Sequence, residues 1–154
     1  MINSIKKDQL APISKRVLSV FIDFIFFWIA IAIFAYFFGE SLANKVDSEG
    51  NTTSFGYSLS GSKLFYVLLL WVVMFPVIEG LTGYTPAKKL LKLRVLKKNY
   101  SRVSIVNSFV RHLLDPIDLF FLIGFIIAAN NKYKQRLGDI LGSTIVIDEK
   151  QSTN

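Results

Sequence analysis

The sequence predicts an all-α transmembrane fold: a small polytopic helical bundle with two spans and a third apolar segment that either spans or re-enters the membrane. Hydrophobic residues make up 52% of the 154 residues, and charged residues only 19%. The apolar residues lie in blocks instead of at amphipathic spacing, and basic residues flank these blocks. With a formal net charge of +7, the chain is more apolar and more basic than an ordinary soluble domain. We therefore expect one membrane domain over residues 1–154.

The first span is predicted over residues 17–38, an apolar block in which Asp23 is the single ionisable side chain. At 1.5 Å per residue this block measures about 33 Å, enough to cross a hydrocarbon core of about 30 Å. The block is longer than the apolar region of a signal peptide, which is about 7–15 residues. We therefore interpret it as a retained anchor.

The second span is predicted over residues 62–81, after a polar loop at 39–63 that is rich in Ser, Gly, Asn and Thr. Its central part, residues 64–78, carries no charge. Pro76 is expected to kink its lower end, because proline cannot donate the helical hydrogen bond.

A basic segment follows over residues 85–103, and it is predicted to be cytoplasmic. In its first half, apolar residues alternate with cations in a pattern suited to a short amphipathic helix on the membrane surface. The stretch 93–106 also allows a small β-hairpin. Because the cations flank membrane segments, anionic lipid headgroups are nearer partners for them than nucleic acid. The cations predicted to contact headgroups are Lys88, Lys89, Lys92 and Arg94.

The third apolar segment, residues 104–129, has two interpretations. A continuous helix would be about 39 Å long, with a kink at Pro116. Alternatively two half-helices meet here, with Asp115 as the N-cap of the second one and Pro116 at its first position. We favour helix capping over ion coordination for Asp115 and Asp118, since carboxylates in a first turn satisfy free N–H groups.

Charge asymmetry predicts the orientation. The net charge is +3 over residues 1–16, −1 over 39–63 and +6 over 79–116. By the positive-inside rule, the N-terminus and the basic segment face the cytoplasm. The tail at 130–154 also carries cations directly beside the third segment, so we expect it inside, which a re-entrant third segment would allow.

The residue supply argues against most catalytic sites. The chain has no Cys and one His, which excludes thiol catalysis, Cys-ligated zinc and His-cluster metal sites. No nucleophile elbow, zinc-protease motif, phosphate-binding loop or dinucleotide fingerprint occurs. We therefore expect no enzyme activity, no cofactor and no metal site, and we expect His112 to be a structural residue.

Asp23 gives the sharpest single signal. An ionised carboxylate at that depth in a span costs at least about 2 kcal/mol, so it requires protein, water or a cation beside it. Arg16 lies on nearly the same helix face, but helical side chains lean toward the N-terminus and carry it away from Asp23. We expect Arg111 to be the first candidate partner. A structural polar residue is favoured over an ion or proton site.

Several motifs together resemble the RDD family over about residues 12–148. They are Lys15-Arg16 at the entry of the first span, Asp23 within it, the Thr85-Pro86-Ala87-Lys88-Lys89-Leu90-Leu91-Lys92-Leu93-Arg94-Val95 segment, and the Gln135-Arg136-Leu137-Gly138-Asp139-Ile140-Leu141-Gly142-Ser143-Thr144-Ile145-Val146 segment. The arginine and two aspartates that name the family fall here on Arg16, Asp23 and Asp139. The chain departs from the family in having Ala87 where Gly is common, and Gly142-Ser143-Thr144 where Ala-Gly-Thr is common. Within the last motif, Arg136 and Asp139 are spaced to pair on a short helix that ends at Gly142.

The resemblance implies a small integral protein of the bacterial cytoplasmic membrane. Some members of the family are described as monovalent cation/proton antiporters, and others as accessory subunits of membrane complexes. Two hypotheses follow. We favour a non-enzymatic membrane interaction or assembly module that binds a partner membrane protein or forms a homo-oligomer. The alternative is a cation/proton antiporter in which Asp23 binds the ion or proton and Asp118 or Glu79 helps to strip the ion's water.

Overall fold

The computed structural model describes residues 9–41, 50, 56–120 and 123–150. Four parts of the predicted organisation lie outside the described residues. They are the first eight residues of the basic N-terminal stretch, most of the polar loop (42–49 and 51–55), two residues of the third apolar segment (121–122) and the end of the tail (151–154). Within the described part, two helical segments are long and apolar enough to cross a membrane.

The first of these is helix α1, Ile13–Phe38. Its 26 residues correspond to about 39 Å. It begins after Pro12 and ends at Gly39, whose N–H donates to the Ala35 carbonyl at 2.7 Å. The helix contains all of the predicted first span and starts four residues before it.

The second is built from helix α2 (Ser62–Val72), a π-helical turn (Val73–Val77) and helix α3 (Ile78–Thr82). Pro76 lies inside the π-helical turn. The expected irregularity at Pro76 is thus a local widening of the helix, which accommodates the missing N–H donor. Between the two long segments, strands β1 (Glu40–Ser41) and β2 (Tyr57–Ser58) pair antiparallel.

The basic segment forms a short helix followed by a strand. Helix α4 (Pro86–Leu90) has Thr85 as its N-cap, and strand β3 (Leu93–Lys97) follows. β3 pairs antiparallel with strand β4 (Thr144–Asp148). The predicted hairpin within 93–106 is therefore wrong. The second half of that stretch enters the next helix, and a single bridge from Leu96 to Arg102 remains.

The described part of the third apolar segment contains helices α5 (Ile105–Leu113), α6 (Asp115–Phe120) and α7 (Ile123–Asn130), and a turn at Leu114 separates α5 from α6. A continuous kinked helix is therefore not what the structure adopts. Helix α8 (Leu137–Leu141) leads directly into β4. Because β4 pairs with β3, both ends of this part of the chain return to the same end of the molecule.

A small apolar core packs against the β3–β4 ribbon. The N-terminal segment joins it, since Leu10 forms a bridge with Ile147 and the Ala11 N–H donates to the Val146 carbonyl at 3.0 Å. One face of the ribbon buries Ala11, Leu93, Val95, Val103 and Val146, and the other buries Leu10, Leu96, Ile145 and Ile147. The start of α1, the basic segment and β4 therefore lie together.

Candidate functional site

A cluster of charged side chains is buried among the helices, and we call it the ionic cluster. Its members come from α1, α3, α4, α5, α6, α8 and the residue before α8. Nine of the ten side chains are buried, and the tenth, that of Asp115, is 20% exposed. The cluster comprises the acids Asp23, Glu79, Asp115, Asp118 and Asp139 and the bases Arg16, Lys88, Arg111, His112 and Arg136.

Arg111 links two of the acids. It is fully buried on α5, with Nη1 2.8 Å from Oε1 of Glu79 and Nε 2.9 Å from Oδ1 of Asp139. The approach of α8 to α5 depends on Gly138, because a Cβ there would lie 2.5 Å from the carbonyl oxygen of Arg111. Glycine at this position therefore allows Asp139 to reach the guanidinium.

Arg16 ties α1 to the same carboxylate. Its guanidinium donates to Asp139 and to the backbone carbonyl of Lys134. The Asp139 carboxylate also accepts the Arg136 N–H at 3.1 Å, in a capping box at the start of α8. Burial would raise the pKa of Asp139, but the three arginines, Arg16 first, outweigh burial and hold this pKa well below its ordinary value. Asp139 is thus ionised at neutral pH.

Glu79 is the second hub. Its carboxylate accepts from Ser108 Oγ at 2.8 Å and from Lys88 and Arg111, and His112 Nε2 lies 3.4 Å away. Lys88 therefore requires a correction: it was predicted to contact lipid headgroups, but it is buried and paired with Glu79. Burial lowers the pKa of Lys88, and the nearby Glu79 carboxylate offsets this only in part.

Asp23 is held by helix α4. Its carboxylate accepts from the Thr85 hydroxyl at 2.5 Å and from the Ala87 N–H at 2.9 Å. The prediction that Arg111 is the partner of Asp23 is wrong, because the Arg111 guanidinium pairs with Glu79 and Asp139. Asp23 instead accepts a free N–H, that of Ala87, at the N-terminus of a neighbouring helix, an arrangement that also suits the helix dipole.

Asp115 and Asp118 bind side chains and backbone from other elements. Asp115 Oδ2 lies 2.5 Å from His112 Nδ1, and its Oδ1 lies 3.2 Å from Arg136 Nη2. Asp118 accepts the Gly138 N–H at 3.3 Å, with Arg136 Nε 4.0 Å away. Both residues lie in the first turn of α6, as predicted, and both carboxylates also contact groups on α5 or at the start of α8.

The predicted pairing of Arg136 with Asp139 takes a different form. The backbone N–H of Arg136 contacts Asp139, whereas its guanidinium reaches Asp115 and Asp118. Gly142 follows α8 as predicted, and its N–H donates to the Gly138 carbonyl at 2.9 Å.

The remaining predicted headgroup residues lie outside the ionic cluster. Lys89 and Lys92 are exposed, so headgroup contact stays a prediction for both. Arg94 is half-buried, lies over the Tyr84 ring at 5.4 Å from its centroid and is 3.6 Å from Glu149.

Sequence reasoning missed Thr85 and Ser108, which bind Asp23 and Glu79. A signal for Ser108 was present, since Ser108, Arg111 and His112 are spaced i, i+3 and i+4 and form a polar stripe on an otherwise apolar helix. For Thr85, a hydroxyl before Pro86 signals an N-cap.

A cavity of about 240 Å³ borders the ionic cluster. Its polar end is formed by Asp23, Lys88, His112, Asp115 and Arg136, and the rest of its wall is apolar. Among the described residues, no group of three or more His, Asp or Glu side chains is placed to hold a metal ion. The arrangement pairs charges across segments beside a small, mostly apolar space.

A comparison with protein-family models matches residues 10–143 to the RDD family. A search of curated proteins and a search of solved structures find no match. The matched range contains every residue of the ionic cluster, including the arginine and the two aspartates from which the resemblance was inferred.

Proposed function

The chain belongs to the RDD family, and from this premise we propose that it is a non-enzymatic membrane module, stabilised by the ionic cluster, that assembles with a second copy or a partner membrane protein. The observation that carries the proposal is that the buried charges engage one another across different segments. Arg16 reaches Asp139, and Arg111 joins that carboxylate to Glu79. Such pairing supports a role in holding a shape.

The energetics favour this structural role. Removing one partner of a buried ion pair leaves a charge without compensation and costs about 3–5 kcal/mol. Each pair in the ionic cluster therefore penalises any rearrangement that separates its helices. A module of this kind presents a fixed outer surface, which is what an assembly partner requires.

The orientation we propose places the N-terminus, the β3–β4 ribbon and the end of the chain in the cytoplasm of a bacterial cell. The exposed Lys89 and Lys92 would then face the anionic headgroups of the inner leaflet. The test uses the Cys-free chain with single cysteines at two exposed positions, Lys150→Cys and Ser60→Cys. A membrane-impermeant maleimide added to intact cells should label Ser60→Cys alone. Labelling of Lys150→Cys alone would reverse the orientation.

The assembly surface we propose is the outer face of α1, where Phe21 is 63% exposed and Trp28 is 55% exposed. A Phe21→Cys variant tests it by oxidative crosslinking in native membranes. A crosslinked homodimer, or a heterodimer with another membrane protein carrying a cysteine, is expected. A matched Val106→Cys variant, which is exposed on α5, controls for random collision. If Phe21→Cys gives no more crosslinked product than Val106→Cys, assembly through this face is contradicted.

A measured ion-exchange activity would contradict the proposal of a non-enzymatic module. Folded protein in proteoliposomes with an imposed pH gradient should show no faster collapse of the gradient on adding Na⁺ or K⁺ than protein-free liposomes do. An Asp23→Asn variant provides the control. If the wild type collapses the gradient and the folded variant does not, the protein is an exchanger and the proposal fails.

A further inference from the structure

The cavity beside the ionic cluster has both apolar and charged lining residues, and the proposed module gives this cavity no role. Four aromatic side chains, Phe24, Phe27, Trp71 and Phe75, contribute to its apolar wall, and charged groups close one end. Phe24 is also 54% exposed on the outer surface of α1. The cavity wall thus includes a side chain on the surface that would face the bilayer.

The two fixed cations at the polar end are already compensated. Lys88 donates to Glu79, and Arg136 lies 3.2 Å from Asp115. Asp115 has a second basic neighbour in His112, at 2.5 Å. These groups have little remaining charge to offer an incoming ligand.

Asp23 differs from every other acid of the ionic cluster. It accepts hydrogen bonds from Thr85 and Ala87, both neutral donors. Within the described residues, no Lys, Arg or His nitrogen lies within 4.0 Å of its carboxylate, whereas each of the other four acids has such a neighbour. Among the described residues, Asp23 is therefore the carboxylate at the cavity that forms no direct ion pair.

We propose that this cavity binds a small organic ammonium group, with the Asp23 carboxylate facing the charge and the aromatic side chains surrounding its apolar substituents. Aromatic rings attract cations within about 6 Å of the ring centroid, and they suit an alkylated ammonium better than a strongly hydrated metal ion. The volume of about 240 Å³ lies below the roughly 300–1,000 Å³ of drug-sized sites, so the ligand is a headgroup or a small amine. The inference goes beyond the proposed module and does not depend on assembly.

Trp71 provides the readout, because it lines the cavity and one other tryptophan, Trp28, is present in the chain. In a Trp28→Phe background, the protein is reconstituted in phosphatidylglycerol nanodiscs and titrated with benzyltrimethylammonium. A saturable change in Trp71 fluorescence is expected. Neopentylbenzene, its neutral analogue of the same shape, should bind at least tenfold more weakly, and so should benzenesulfonate.

Two variants test the assigned contacts. Asp23→Asn removes the charge at nearly constant volume and should weaken binding of the ammonium probe at least tenfold. Phe27→Leu removes one ring and should weaken it severalfold, whereas Phe21→Leu, on the exposed face of the same helix, should leave it unchanged. Elution as a single sharp peak checks folding. If the Asp23 variant does not fold, the Phe27 and Phe21 pair still decides the outcome.

The proposal is overturned if no saturable signal appears, if the neutral or anionic probe binds as tightly, or if a folded Asp23→Asn variant binds normally. Equal displacement of the probe by the same concentration of Na⁺ would also overturn it, because the site would then recognise charge alone. Repeating the titration with phosphatidylethanolamine in the nanodiscs separates the two sources of an ammonium group. Competition identifies the lipid headgroup as the occupant, and its absence identifies a free amine.

Discussion

The helices and the β3–β4 ribbon bury opposite kinds of residue. In α1, the buried residues are Arg16, Ser19 and Asp23, while large apolar side chains point outward. Against the ribbon, the buried residues include Leu93 and Val95, as in a water-soluble protein. The difference indicates the surroundings of each region: hydrocarbon around the helices removes the advantage of burying apolar side chains, whereas water around the ribbon restores it.

The two regions are joined by α8 and by the start of α1. Asp139 on α8 binds Arg16, and α8 runs directly into β4. Lys15, the neighbour of Arg16, forms an ion pair with Asp148 at the end of β4. Consecutive basic residues at the entry of α1 therefore hold the polar interior on one side and the ribbon on the other.

The largest expected effect comes from removing the central cation of the ionic cluster. Arg111→Met should lower the free energy of unfolding by about 3–5 kcal/mol, because Glu79 and Asp139 lose a shared buried partner. Reversible unfolding in bicelles measures it. Arg102→Met, at an exposed position, should change stability by less than about 0.5 kcal/mol. Equal effects would mean that the polar interior is not what holds the helices.

Acid should destabilise the helices through Asp139. Because the arginines hold its pKa below the ordinary value, Asp139 contributes stability that is present above about pH 4 and is lost as the pH falls further. Melting temperatures between pH 7 and pH 3 should fall steeply for the wild type. They should fall less steeply for Asp139→Asn, which is already less stable at pH 7. Glu40→Gln, at an exposed ion pair, should keep the wild-type slope. A wild-type slope in Asp139→Asn would contradict the assignment.

The ribbon should respond to loss of apolar volume where the outer helix face does not. Leu93→Ala should cost about 2–5 kcal/mol, since Leu93 is fully buried in the apolar core. Phe65→Ala, at an exposed position of α2, should cost much less in the same unfolding assay. A larger loss from Phe65→Ala would show that this exposed face of α2 is packed within the folded protein.

The smallest effect is expected at the headgroups. Replacing Lys89 and Lys92 with Ala should reduce the preference for phosphatidylglycerol over phosphatidylcholine by about 1 kcal/mol per cation. Binding of spin-labelled lipids measures this preference. Lys88→Met should leave it unchanged while lowering stability, because Lys88 is buried against Glu79. If substitution of each of the three lysines alters lipid preference equally, the assignment of Lys88 to the buried cluster is contradicted.

Block length and composition were enough to predict the two long helices. The motif residues Arg16 and Asp139 were found as well, and the structure brings them together. These features are local or depend on the solvent, so they can be read from a short stretch of sequence.

The partners of the charges could not be predicted in the same way. Asp23 meets Thr85, 62 residues away, because α4 presents its N-terminus to α1. Lys88 and Lys89 are adjacent, yet only the former points inward, since the capped start of α4 fixes its rotation. The partner of β3 was also missed. Ribbon pairing with β4 requires the third apolar segment to return, and its length allowed both outcomes.

A double-mutant cycle between Arg16 and Asp139 tests most directly whether the buried charges lock the helices together. Arg16→Met, Asp139→Leu and the double variant are unfolded reversibly in bicelles beside the wild type. The double variant should be more stable than the sum of the single losses predicts, with a coupling free energy of at least about 1.5 kcal/mol. Losses that add to within about 0.5 kcal/mol would show that the two residues do not act on each other, and would contradict the account.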